Sequence, residues 1–167
     1  MKYIECPETH EGKETSLFLA CGITNCPDWH KELIELLKDT YLTLLNPRRK
    51  NFQENNPEIE EEQISWEFNH LKKASAVSFW FTKETLCPIT LYELGKQSTS
   101  NKPLFIGVHP DYSRKRDVEI QTKLIRPEIN VVYSLNELAE QIKNWNDKSI
   151  FYIKFSVFSE KTNLTPS

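Results

Sequence analysis

Glu93 is the residue whose surroundings ask for chemistry. It lies in Cys87-Pro88-Ile89-Thr90-Leu91-Tyr92-Glu93-Leu94-Gly95, shortly after the most hydrophobic run of the chain, Ala74-Ser75-Ala76-Val77-Ser78-Phe79-Trp80-Phe81. That run reads as a buried strand, and Pro88 suits the first turn of a helix, where its missing N–H is harmless. Glu93 then falls in the second turn, among Ile89, Tyr92 and Leu94. A carboxylate in such company either points into a cleft or carries a heavy desolvation cost unless paired. Just past the carboxyl end of a strand is also where an open α/β sheet keeps its ligands.

Other residues compete for a role. Asn46-Pro47-Arg48-Arg49-Lys50 is a basic loop following an apolar run, and its adjacent arginines could clamp a phosphate or a carboxylate; a solvated charged loop is the plain alternative. Of the four cysteines, Cys6, Cys21, Cys26 and Cys87, none forms a C-x-x-C pair, and their number is too low for a disulfide scaffold, so they read as reduced thiols. Cys21 and Cys26 with a histidine would make a poor zinc set, because the gap is wrong and His10, His30, His70 and His109 are scattered. Cys87 could be a nucleophile at a helix N-terminus, where a thiol pKa falls, or simply pack.

These residues need a scaffold. At 167 residues the chain suits one domain with a real core, drawn as a lead-in over 1–15, an α/β domain over 16–147 and an extension over 148–167. A net charge of -3 gives no basic footprint, which argues against nucleic acid as a partner. No apolar run approaches the length of a membrane span and Met1-Lys2-Tyr3-Ile4-Glu5 lacks a signal-peptide core, so a cytoplasmic protein without membrane contact is expected.

Met1 to Glu5 reads as a short strand or a loose lead-in. Strands are predicted over 16–21, 41–45, 74–81, 103–108 and 130–133. Helices are predicted from Trp29, Leu33, Leu36 and Leu37, over 58–73, through Glu93, over 117–124, and after the capping box Ser134-Leu135-Asn136-Glu137 with Leu138, Ile142 and Trp145 as its stripe. Residues 51–57 read as polar linker. Trp66 is expected to pack and Glu67 to be exposed or salt-bridged. Strands that are nearly continuous apolar runs, alternating with helices, predict a flavodoxin-like, doubly wound sheet of about five parallel strands with helices on both faces, in the order 2-1-3-4-5. The apolar segment 150–155 would add an edge strand at the C-terminus or reach a partner subunit.

Taken together, Phe18-Leu19-Ala20-Cys21-Gly22-Ile23-Thr24, Asn46-Pro47-Arg48-Arg49, Gln63-Ile64-Ser65-Trp66-Glu67, Phe79-Trp80-Phe81 and Tyr92-Glu93-Leu94-Gly95 resemble the nucleoside 2-deoxyribosyltransferase family. The likeness is to the branch marked by N-P-R-R and by a P-I-T-L-x-E-L-G helix, and it covers roughly residues 16–145. It implies a retaining displacement in which a glutamate, here Glu93, attacks the anomeric carbon of a 2′-deoxynucleoside, expels the base and holds the sugar covalently until another base or water takes it. A dry, shaped pocket favours that chemistry.

The resemblance implies a substrate-binding set of Phe18, Gly22, Ile23, Asn46, Arg48, Gln63, Ser75, Trp80, Cys87, Thr90 and Asp117. The chain also departs from the family. Phe18 stands where a tyrosine is usual, and Ser75 and Cys87 stand where aspartates help hold the sugar and protonate the departing base. Proton donation would then fall to Asp28, Glu84 or Glu67. Asp117 stands near the place of an asparagine that enters a neighbouring subunit's site, implying a homo-oligomer with composite sites; a helix N-cap is its alternative role.

Three functions follow: transfer of the sugar to another base, hydrolysis of a nucleoside 5′-monophosphate suggested by Arg48 and Arg49, or a nucleotide-binding sensor without turnover. None calls for a metal or organic cofactor.

Overall fold

A computed structural model describes residues 1–12, 14–23, 25–50 and 56–162, with side chains described as far as residue 149. Among the described residues five runs form strands: β1 (Lys2–Glu5), β2 (Ser16–Ala20), β3 (Thr43–Asn46), β4 (Ala76–Phe81) and β5 (Leu104–Val108). All pairings are parallel, in the order β1-β3-β2-β4-β5. Every residue of β2, β3, β4 and β5 is buried. Polar alternation is absent because neither face of the sheet meets water.

Among the described residues the helices are α1 (Trp29–Leu36), α2 (Pro57–Lys73), α3 (Pro88–Ser98), α4 (Lys115–Ile125) and α5 (Leu135–Thr162). Phe18 of β2 meets Trp66 of α2 with ring centroids 6.0 Å apart, and Phe105 of β5 meets Trp145 of α5 at 5.6 Å. These contacts lie on opposite faces. Phe18 is in register with Val77, whereas Phe105 is in register with the next residue, Ser78, and successive strand residues point to opposite sides. α1 packs beside α5, and Lys96 of α3 lies 4.3 Å over the Phe68 ring of α2. The doubly wound architecture expected from the sequence is therefore present.

Local chemistry sets the helix ends. Asn56 accepts from the Glu58 and Ile59 amides to cap α2, and Asp28 accepts from the Lys31 amide to cap α1. At α5, Ser134 Oγ accepts from the Glu137 amide at 3.2 Å while Glu137 accepts from the Tyr133 amide at 3.0 Å, a slightly displaced capping box.

Residues 2–5 take the strand alternative over the lead-in and form an edge strand in register with 43–46. Three expectations need correction. Asn130-Val131-Val132-Tyr133 does not run as a strand and contributes only an isolated parallel bridge, Val132 to Gly107. The extra strand expected at 150–155 is absent, since the backbone there continues α5 as helix; the additional edge strand is at the other terminus. α4 begins at Lys115, so Asp117 is the third residue of the helix, and Arg114 holds the N-cap position. Most of the expected linker 51–57 lies outside the described residues, as do Thr24 and residues 163–167. Among the described residues, no helix is long and apolar enough to cross a membrane.

Candidate active site

The chain leaves β2 toward β3 on one side and later returns to β4 on the other, so the carboxyl ends of these strands diverge around a crevice. A cleft of about 440 Å³ opens there, within the size range of small-molecule sites. β2 and its exit supply Phe18, Ala20, Cys21, Gly22 and Ile23, and the loop after β3 supplies Pro47 and Arg49. The far wall is Gln63 and Glu67 of α2 with Thr85, Cys87 and the first turns of α3, including Ile89, Thr90 and Glu93.

Among the described residues, Glu93 and Glu67 are the only acids in that wall. Burial, followed by the nearby Glu67 charge and moderated by Lys96, pushes the Glu93 carboxyl up to about 8. Burial also raises Glu67, against a hydrogen bond from Gln63 that favours its charged form. Among the described residues neither forms an ion pair. Two like charges in one mostly apolar cleft disfavour double ionisation, which favours the state in which one of the two carboxyls keeps its proton. Glu67 therefore corrects one expectation: it is half-buried in the cleft rather than exposed or salt-bridged. Trp66 packs as expected, with its indole N–H donating to the Glu8 carbonyl at 2.7 Å.

Gln63 fixes Glu67. Its Nε2 donates to Glu67 Oε1 and to the Pro47 carbonyl, both at 2.7 Å, and its Oε1 accepts from the Cys6 thiol at 3.0 Å. Its amide is thus committed to the wall, although it lines the space where a ligand would lie. Gly22 is needed for packing of the cleft wall. A Cβ there would sit 2.8 Å from Cys87 Sγ and 3.2 Å from Thr85 Cγ2, so only glycine lets the loop before α3 close onto the end of β2. Cys87 itself takes a left-handed backbone, φ 49° and ψ 53°, at a cost of about 1–2 kcal/mol for a non-glycine residue. Its Sγ lies 3.9 Å from Cys21 Sγ.

The cleft gathers Phe18, Gly22, Ile23, Gln63, Cys87, Thr90 and Glu93 from the sequence-derived set. The other members lie elsewhere. Asn46 is buried but donates to the Tyr3 hydroxyl at 2.8 Å and accepts from the Arg48 amide. Arg48 points to Asp28 at 3.3 Å, and it is Arg49 that reaches the cleft wall, paired with Glu62 at 2.6 Å; adjacent residues of an extended loop diverge. Ser75 precedes β4 and exchanges hydrogen bonds with Ser16 at 3.1 and 3.3 Å. That is the amino end of the sheet, roughly 20 Å from the carboxyl end of β4 at about 3.3 Å per residue, and Ser75 is not part of the cleft wall. Trp80 projects from the other face of β4, toward Gly107. Asp117 is exposed on α4, 3.6 Å from Arg114. Asp28 is consumed by capping and by Arg48, and Glu84 is exposed and outside the cleft wall.

Sequence reasoning missed Cys21, Pro47, Arg49 as distinct from Arg48, and Thr85. A usable signal existed for Cys21: it and Cys87 follow strands that prove to be neighbours. Among the described residues no three His, Cys, Asp or Glu side chains gather as metal ligands, so the Cys21–Cys26–histidine set does not assemble.

The fold is thus an α/β doubly wound parallel sheet with a carboxylate-bearing cleft at its switch point. The chain belongs to the nucleoside 2-deoxyribosyltransferase-like family, whose model matches residues 14–112. The structure resembles a conserved protein from Enterococcus faecalis V583, with a TM-score of 0.58 and 15% identity over 78% of this chain and 98% of that one. It also resembles a 2-deoxyribosyltransferase from the psychrotolerant bacterium Bacillus psychrosaccharolyticus, with a TM-score of 0.53 and 18% identity over 74% and 90% of the two chains. At these identities the likeness is one of fold. No curated protein matches the sequence.

Proposed function

We propose that the protein cleaves the N-glycosidic bond of a (deoxy)nucleoside through a covalent glycosyl-Glu93 intermediate and passes the sugar to another base. The observation that carries this reading is the pairing of Glu93 with Glu67 in one mostly apolar cleft. Glycosyl transfer with retention needs one carboxylate to attack and one carboxylic acid to protonate the leaving group, and a pair sharing one proton supplies both. Ionised Glu93 attacks the anomeric carbon while Glu67 gives its proton to the departing base. Glu67, now ionised, takes a proton from the incoming base as that base displaces Glu93. Of the three candidate acids only Glu67 reaches the cleft, which favours it over Asp28 and Glu84. The Gln63 bond favours charge on Glu67, so the reaction as written needs the proton moved from Glu93 to Glu67 before attack. Neither the binding set nor the proton donor calls for a cofactor, and the reaction is assigned to the cytoplasm.

A second reading is hydrolysis of a nucleoside 5′-monophosphate, favoured by Arg49 in the cleft wall. Its partner Glu62 is on the exposed side of the pair, half accessible to solvent, and a phosphate could replace it. A homo-oligomer belongs to the same proposal. Ile64 and Phe68 of α2 and Ile89 and Tyr92 of α3 are more than half exposed, and they form an apolar margin beside the cleft where a second copy would bring its Asp117.

The test is incubation with deoxynucleosides, ribonucleosides and their monophosphates, with and without a second free base, followed by chromatography. Exchanged nucleoside supports transfer, and free base with sugar phosphate supports hydrolysis. Turnover undiminished in Glu93→Ala overturns the nucleophile, and tight binding without products favours the sensor.

A further inference from the structure

The four cysteines divide into two kinds. Cys6 donates to Gln63 Oε1 and Cys26 donates to the Gly22 carbonyl at 2.9 Å, so each thiol is occupied in holding a wall or a loop. Burial raises both, Cys6 to about 11. Cys21 and Cys87 instead face one another at 3.9 Å, and both line the cleft. They differ sharply from each other. Cys87 stands at the N-cap of α3, an eleven-residue helix, with no side-chain cap bond of its own. Hydrogen bonding from Cys21, together with the Gly22 and Thr82 backbone, brings its thiol down to about 7 against the effect of burial. Cys21 is pushed far upward by burial and by its bond to Cys87. Cys87 is thus the more acidic of the two thiols, 3.6 Å from the Thr85 carbonyl, and Cys21 lies beside it as the less acidic partner. The left-handed backbone at Cys87 and the glycine that admits its sulfur are what bring the two together.

We infer that Cys87 is a site of oxidative modification by hydroperoxides reaching the cleft, with Cys21 as its resolving thiol. The Cys87 thiolate attacks the peroxide oxygen, the O–O bond breaks, and the alkoxide or hydroxide leaves and is protonated, giving a sulfenic acid at Cys87. Cys21 sulfur then displaces the hydroxyl group. Its proton leaves with that group as water, and a disulfide remains. Two thiols have been oxidised by two electrons and one peroxide has been reduced. A geometry in which reactive and resolving sulfurs are already neighbours is the arrangement redox-sensitive pairs use. The bond requires the sulfurs to close to about 2.05 Å, which draws the N-terminus of α3, the helix bearing Glu93, toward β2.

The experiment uses the full chain, reduced and then exposed to increasing hydrogen peroxide, alkylated, and read by intact mass and peptide mapping. The expected result is loss of two hydrogens with one cross-link between the peptides holding Cys21 and Cys87, at peroxide doses that leave Cys6 and Cys26 alkylatable, and reversal by dithiothreitol. In Cys21→Ser, a dimedone adduct should accumulate at Cys87 instead. Oxidation of Cys6 or Cys26 at the same doses, a Cys87 adduct in the wild type without the cross-link, or no reaction at Cys87 overturns the proposal. Mapping of the wild type decides the matter even if a variant folds poorly, and every readout is independent of glycosyl transfer.

Discussion

The two ends of the sheet treat polar groups in opposite ways. At the amino end, Ser16 and Ser75 satisfy each other's backbone amides, Arg126 donates to the Ser100 carbonyl at 2.7 Å, and Lys102 donates to carbonyls that end α2. At the carboxyl end, two carboxyls line a mostly apolar cleft without forming an ion pair among the described residues, a cysteine holds a left-handed backbone, and two thiols face each other. Groups of the same kind are stabilising where their partners are built in and costly where they are withheld. Withheld partners mark the place where a ligand is meant to supply them.

The strongest way to break this contrast is Glu93→Gln. Activity should fall by about 10⁴-fold or more if Glu93 is the nucleophile, while the fold should gain. An unfolded glutamate loses its proton near 4.5, whereas folded Glu93 holds its proton to about 8. The folded state therefore binds more protons between those values and loses stability as pH rises through them. Removing that slope is worth about 1–2 kcal/mol at pH 8, after discounting for solvent contact, and pH-dependent denaturant melts would read it. Glu67→Gln should lower kcat by about 10²–10³-fold and remove one limb of the pH–rate profile. Its effect should shrink for nucleosides whose bases leave readily, and a loss uniform across leaving groups would remove Glu67 as the proton donor. Gly22→Ala forces a methyl to within 2.8 Å of Cys87 Sγ; thermal melts should show a loss of about 1–3 kcal/mol. The smallest effect belongs to the other end. Ser16→Ala should cost about 1 kcal/mol with unchanged kcat, and a fall in kcat would mean that the two ends are not separate in function.

How much of this could be read from the chain follows from the same contrast. Burial on both faces writes itself as continuous apolar runs, so β2, β4 and β5 were legible. β1 was ambiguous because an edge strand with exposed Lys2 and Tyr3 carries no such run. Residues 150–155 look like a strand by composition, but the preceding helix simply continues through them. Glu93 was legible as an acid among apolar neighbours. Which arginine faces the cleft was not, because Arg48 and Arg49 differ only in which way a loop turns. Trp80 and Ser75 were misplaced for the same reason: sequence adjacency to a motif fixes neither the face of a strand nor its end. The Cys21–Cys87 contact needed strand order, since nothing local links positions 66 residues apart.

The commitment of Gln63 has one further consequence. Its amide is held by acceptors and a donor on three chain segments, so it cannot flip, and Glu67 Oε1 always meets an N–H. An oxygen that accepts from a fixed donor is the poorer place for a proton. Any proton on Glu67 is therefore assigned to Oε2, so the acid has a fixed address as well as a fixed partner. A neutron structure or carboxyl NMR on labelled Glu67 would find the two oxygens chemically unequal before any substrate arrives.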